Sequence, residues 1–558
     1  MAFETLQQAV LNELRALDDE RVRYQLEHPS ASLGMEDPDV RRLIEALAYS
    51  AVRTRQATMQ NLFSTWKRLL SGYFHFILQP LPAMAMVQAL VTPHMTEPVT
   101  LTRGSSLQIT TLDGAIGNFQ TTAELRVVPI NLARTELQMN RHGYRLVMTF
   151  LSIHQRADDL GAIPIHINYL DNYQAALRLH YLLQKHLHLC SAFYEAGFGP
   201  DTVGVPCDVT FGSYYDRPYE DNEQNPLSQV RSFFHFPVQD LMIQVKVPKT
   251  TQYWNKFYLC FDLNADFPKE VPLYREVFHP FSVPVINHRR AFASPIECDG
   301  TKDEYPIRYL ESDPSYVLER VMGVYRTTSR GLEPLGQAAL GSYRHSYEVE
   351  EINTQKQTPQ YALLVRRPEA FAEPQQLLVD ALWYQPYFAT QTAGPVSVTL
   401  LERIAVGVDF RQVGLMAPPM EGSLRTQPDR LLQLLSMKMK PVLGREDLLD
   451  LLAMFGSVDV GPYAKTLKLL GQVFLSVAPD TTGNGSGIRH VYELELKLHE
   501  QEEIPLLVRL VEQLTQIFAA WDYEARVEVK TELAVPQRQR SEHLTLSERH
   551  DWASRRLL

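Results

Sequence analysis

Three runs of residues have types and spacings that suit chemistry: Gly483-Asn484-Gly485-Ser486-Gly487, the set His186, His188 and Cys190, and His499-Glu500-Gln501-Glu502-Glu503. A glycine-rich loop cradles phosphate when a strand leads in and a helix leads out, because the helix N-terminus then faces the anion; a P-loop adds a lysine. Here the residues after the glycines alternate as a strand and no lysine is present, so the segment reads as a hairpin loop. With 171–190 read as helical, only His186 and Cys190 share a face, and no second Cys/His pair lies nearby to complete a four-ligand zinc site. The third run carries Glu503 where a zinc protease needs its second histidine. No G-x-S-x-G elbow and no kinase signature set occurs, and the acidic pairs Asp158-Asp159 and Glu220-Asp221 read as solvated loops. The expectation is a chain with no catalytic residues, no cofactor and no metal.

Bulk composition narrows the class. A chain of 558 residues has room for several cores. Its 45% apolar and 21% charged residues are ordinary for a globular protein. A formal net charge of −11 without clustered Lys or Arg argues against nucleic acid as a partner. The apolar runs are too short for a membrane span, and Met1–Val10 has no basic region before an apolar core, so neither membrane insertion nor a secretory leader is expected. Four cysteines (Cys190, Cys207, Cys260 and Cys298), none in a CxxC pair, read as buried reduced thiols of a cytosolic protein.

The elements that position everything else begin with a long helix over 40–74. Val40, Leu43, Ile44, Leu47, Ala48, Ala51 and Val52 make an amphipathic stripe that resumes at Met59, Leu62, Phe63, Trp66, Leu69 and Leu70 after the polar patch 53–56. Asp37-Pro38-Asp39 starts it, and Gly72, Pro80 and Pro82 are expected to stop it. Such a stripe must be covered, either by this chain or by another protein. Leu43, Ile44, Leu47, Ala51, Leu62, Phe63, Trp66 and Leu70 are therefore the candidate partner-interface residues.

The fold class expected is α+β and multidomain. A helical segment occupies 1–83. A β-rich domain with a helical insertion near 171–190 follows over 84–308, then a second β-rich region over 309–428, a small α+β module over 429–535 and a polar tail over 536–558. The module reads most clearly: strands at 473–477, 492–498 and 526–533, and a helix at Ile504–Trp521 whose apolar residues keep the 3.6 period. The aromatic block between Leu227 and Ile307, including Ser232-Phe233-Phe234-His235-Phe236-Pro237, reads as strand-rich core.

Three stretches together resemble one known family. Asp37-Pro38-Asp39 with its leucine-rich helix runs to Leu81-Pro82-Ala83-Met84, similar to a DP start and P-x-P-S-M exit with Ala83 in place of serine. Phe233-Phe234-His235-Phe236-Pro237 resembles a YFAFPEKF segment without its glutamate and lysine. Pro284-Val285-Ile286-Asn287 with Pro295-Ile296 and Glu304-Tyr305 is similar to a TPVVNLF…PI…EY run, and Arg103-Gly104-Ser105 and Phe119-Gln120-Thr121-Thr122 echo further elements. Their shared order resembles the baseplate wedge family TssF (ImpG/VasA) of type VI secretion systems. That resemblance implies a non-enzymatic subunit, two copies of which join one TssG, around the VgrG spike hub. It also implies contacts with TssK and TssE, in a cytoplasmic baseplate docked at the inner membrane. Two alternatives are a cytosolic multidomain hydrolase acting on glycans, with the aromatic block as a sugar platform, and a wedge protein of another contractile tail-like particle.

Overall fold

The computed structural model describes residues 6–534 apart from 31–36, 157–158, 195–198, 200, 213–225, 251–252, 300, 303, 311–314, 339–344, 353–359, 367–373, 389–395, 402–405, 423, 425–426, 441, 457, 459–460, 481–486, 498–500 and 522–525. Asp158, the pair Glu220-Asp221, most of the glycine loop, His499 with Glu500, and the polar tail thus lie outside the described residues. Its α-helices are α1 (Leu6–Glu27), α2 (Pro38–Leu78), α3 (Tyr173–His186), α4 (Pro226–His235), α5 (Pro428–Lys438), α6 (Arg445–Phe455) and α7 (Ile504–Trp521). By compactness the chain divides into two units, Met1–Leu78 with Gly422–Pro441, and Gln79–Glu421 with Val442–Leu558.

The first unit is helical. α2 starts at Pro38 as expected, but it passes through Gly72 and ends only at Leu78, ahead of Pro80. One glycine costs a helix interior only about 1 kcal/mol, too little to terminate it; the helix is broken instead at Phe74 (φ −132°, ψ 36°). α1 folds back along α2, where Arg55 meets Glu13 at 3.2 Å, and α5 also packs on α2. Leu431, Leu434 and Met437 turn the apolar face of α5 fully inward.

The second unit is built on sheets. A closed barrel runs in the order Met84–Val91, Ser282–Ile286, Ile116–Thr121, Ser106–Thr111, Val396–Leu400 and Val408–Ala417. Closure places Met84 opposite both Ile286 and Ala417, and it removes the exposed strand edges an open sheet would leave. This pairing joins 396–417 to 84–121, which the sequence reading had put in different regions. Two further sheets, centred on Trp254–Asn264 and Met242–Val247, enclose the aromatic core, where Phe150 stacks on Phe257 with centroids 4.9 Å apart. Another pair of sheets spans Arg289–Phe292 to Gln375–Tyr384 around Leu363, Val379 and Trp383.

The terminal module matches its pattern closely. Leu470–Asp480 pairs antiparallel with Gly487–Lys497, which pairs in parallel with Arg526–Ala534 after the α7 crossover. Tyr492, Leu494 and Leu496 are buried, with Tyr492 stacked on Phe518 of α7 at 4.1 Å.

Two further expectations are corrected. The helix over 171–190 ends at His186, and Leu187–Phe193 is a strand. Leu187 already has extended geometry (φ −65°, ψ 122°), and Leu187-His188-Leu189-Cys190 alternates with period two, so His186 and Cys190 share no helix face. The segment 226–235, read as part of a strand-rich block, is the helix α4; its apolar residues Leu227, Val230, Phe233 and Phe234 recur at three and four, not two.

Candidate partner interface

The stripe on α2 is split between two sides of the helix. Ala48 and Val52 are fully buried in the first unit. Leu43, Leu47 and Leu62, by contrast, are 61%, 51% and 43% exposed, and Ala51 is exposed as well. Ile44, Phe63 and Trp66 are half-buried, and the Leu70 side chain lies outside the described ones. The structure thus brings Leu47, Ala51 and Leu62 together on one open flank. There they line a trough of about 650 Å³ with Ser50, Thr54, Arg55, Thr58 and Met59. Met59, 47% exposed, belongs to this flank, although the candidate set omitted it. The missed signal was the width of the stripe: nine apolar residues in the thirteen from Val40 to Val52 cover more circumference than one neighbouring helix can hide. The polar patch at 53–56 has a role on this helix too, since Arg55 bonds α1 while lining the trough.

The three stretches that carry the family resemblance converge just after α2. From α4, Arg231 donates to the Gln79 carbonyl (2.9 Å) and to the Phe455 carbonyl (3.2 Å), and His235 donates to the Pro82 carbonyl (3.0 Å). The Asn287 amide donates to the Ala83 carbonyl (2.8 Å). Met84, Met86, Phe236, Met242 and Val413 close over this point as one apolar cluster, with Ile286 against it. Beyond the end of the helix these carbonyls have no intrahelical donor, so side chains and neighbouring strands satisfy them. The motif residues therefore clamp the exit of the long helix.

The titratable residues elsewhere are arranged for packing. Burial lowers His166 and His180 to about 3 and His235 to about 4, which keeps each imidazole neutral. Each bonds a backbone carbonyl: Val238 at 3.0 Å, Met242 at 3.1 Å and Pro82 respectively. His186 meets the Asn264 side chain at 2.7 Å, and Asp159 meets Lys249 at 3.0 Å. Among the described residues no group of three His, Cys, Asp or Glu is placed to hold a metal. A second hollow of about 460 Å³ is lined by Asn118, Arg289, Tyr316, Gln385 and neighbours, without a carboxylate among its described lining. A glycosidase needs two carboxylates across such a cleft. Among the described residues no helix is long and apolar enough to cross a membrane.

Comparison with known proteins follows the same line. The family model described as Type VI secretion system, TssF matches residues 23–375, more than half of the chain. No curated protein matches. Among solved structures, the chain is similar to a chain of the type VI secretion system TssK-TssF-TssG baseplate subcomplex, determined by cryo-electron microscopy. That match has a TM-score of 0.72 and 16% identity over 88% of this chain and 96% of the other. A chain of the baseplate complex from the type VI secretion system aligns with a TM-score of 0.55 and 14% identity, over 95% and 96%. At such identities the structural likeness speaks for the fold, and the family match speaks for descent. The α+β architecture, the clamped exit of α2 and the family match agree: this chain belongs to the TssF family of type VI secretion proteins.

Proposed function

We propose that this protein is a structural wedge subunit of a type VI secretion baseplate. Two copies join one TssG, and the wedges so formed surround the VgrG hub and contact TssK and TssE. The assembly works on the cytoplasmic side, docked at the inner membrane, and the chain performs no catalysis in it. The observation that carries this reading is the flank of α2 on which Leu43, Leu47, Ala51, Met59 and Leu62 face outward from a helix already packed on its other side. An exposed row of this kind marks a surface that a partner covers, and long-lived subunit interfaces of about 2,000 Å² or more are apolar at their centres. The TssK-TssF-TssG subcomplex supports TssG and TssK as the first partners to test.

The test is expression with and without TssG. The chain alone is expected to self-associate or precipitate, and the co-expressed complex to be soluble with a mass of two copies to one TssG. Equal monomeric solubility in both cases refutes the reading.

A further inference from the structure

The strand Val205–Pro206 lies at the edge of a five-stranded sheet and pairs antiparallel with Leu187–Phe193, Val205 opposite Ala192 and Pro206 opposite Ser191. One residue further on, the Cys207 amide donates to the Cys190 carbonyl at 2.8 Å, which sets the two cysteines directly across from each other. Residues so placed hold their Cβ atoms about 4.5–5.5 Å apart, a short step from the spacing of about 3.5–4.5 Å that a disulfide takes. The two thiols are close enough to shift each other's pKa in opposite directions. The Cys207 thiol donates to the Val205 carbonyl (3.6 Å).

We propose that Cys190 and Cys207 are a reversible disulfide site, oxidised by a hydroperoxide, and that the bond staples a joint between two sheets. The residues on either side of Cys207 show what is stapled. Val205–Pro206 belongs to one sheet and Asp208–Phe211 pairs with Met242–Val247 in another, so Cys207 is the residue at which the chain changes sheets. The proposal is independent of the wedge reading, because it concerns no partner.

The chemistry assigns each thiol a part. The neighbouring Cys190 thiol holds the Cys207 pKa below the usual thiol range, which favours its thiolate, while the same contact pushes Cys190 up. The Cys207 thiolate attacks hydrogen peroxide; an S–O bond forms, the O–O bond breaks, the departing hydroxide takes up the proton that Cys207 had given up and leaves as water, and Cys207 becomes a sulfenic acid. The Cys190 sulfur then attacks the Cys207 sulfur, the S–S bond forms and a second water departs. Two thiols lose two hydrogens and two electrons, and one hydrogen peroxide becomes two waters. Cys260, pushed up to about 12 by burial, is a poor competitor.

The experiment treats the folded full-length protein with hydrogen peroxide, blocks the remaining thiols under denaturing conditions and maps the peptides. The expected result is a fall in free thiols from four to two, a Cys190–Cys207 cross-linked peptide, and restoration of all thiols by dithiothreitol. Cys207→Ser should abolish the cross-link, and Cys190→Ser should leave a dimedone-reactive sulfenic acid at Cys207. Hydrogen exchange of the wild type should slow at 205–211 on oxidation, a readout that needs no variant. Four thiols persisting after treatment, or cross-links through Cys260 or Cys298 instead, overturns the assignment.

Discussion

Replacing Leu47 and Leu62 together by glutamate separates a partner surface from a structural one. Both lie on the open flank of α2, 51% and 43% exposed, and glutamate is a good helix former, so the isolated fold should change by no more than about 0.5 kcal/mol. Leu43, Leu47, Met59 and Leu62 together leave about two whole side chains of apolar surface in water. Covering that surface is worth ~3–6 kcal/mol, at about 1.5–3 kcal/mol for each large apolar side chain. The double variant forfeits about half of this gain. It also places two carboxylates where a partner would exclude water, at a cost of several kcal/mol each when unpaired. A combined loss of at least about 4 kcal/mol weakens TssG binding by about a thousandfold. The assay is titration calorimetry or mass photometry with purified TssG, alongside thermal unfolding of the variant alone. Val52→Glu, at a fully buried position of the same helix, serves as the control that should unfold. If the double variant stays folded and binds TssG within a few-fold of wild type, the flank is not the contact.

Two further outcomes test the interior. Burial holds His166 and His180 at about 3 and His235 and His279 at about 4, against 6.5 in the unfolded chain. Above pH 6.5 both states are neutral at these sites. Between 6.5 and 4 only the unfolded state takes up protons, so stability is full at neutral pH and declines as the pH falls through that window. The decline is about 2 kcal/mol per histidine at pH 5, and urea unfolding at pH 7.5 and pH 5 measures it; equal midpoints refute it. The second outcome concerns Arg145, which grips Asp262 through Nε–Oδ1 at 2.5 Å and Nη2–Oδ2 at 2.9 Å inside the sheet. Asp262→Asn should cost about 3–5 kcal/mol because it strands a buried guanidinium. Arg145→Met with Asp262→Leu should recover most of that loss in the same unfolding assay.

What could be read from the residues depended on how local the cause was. Ile504–Trp521 came out to the residue because its apolar period and flanking turns are contained in the segment itself. Alternation in 487–497 and 526–534 likewise reports which face meets α7. The end of α3 was misplaced because leucines crowd 177–189 at both helix and strand spacings, and pairing with Trp254–Asn264, far along the chain, decides for a strand after His186. Closure of the barrel by 396–417 is invisible for the same reason: it depends on register with 84–111, which no local period encodes. On α2 the stripe was legible, while its division into a covered and an open side waited on where α1 and α5 pack.

The residues that look most like motifs thus act on backbone. Arg231 and His235 each donate to carbonyls, and Asn287, wholly buried, gives its own amide to Ala83 and its side-chain amide to the Asn118 carbonyl at 2.9 Å. A polar residue kept inside a core for such bonds costs heavily when removed, because the carbonyls it satisfied are left dry. Pro80 and Pro82 carry no amide hydrogen, and the carbonyls of Gln79, Pro82 and Ala83 beside them are the ones these donors meet. The motifs that share an order along the chain are thus joined by one task, hydrogen bonding of the backbone that follows Leu78.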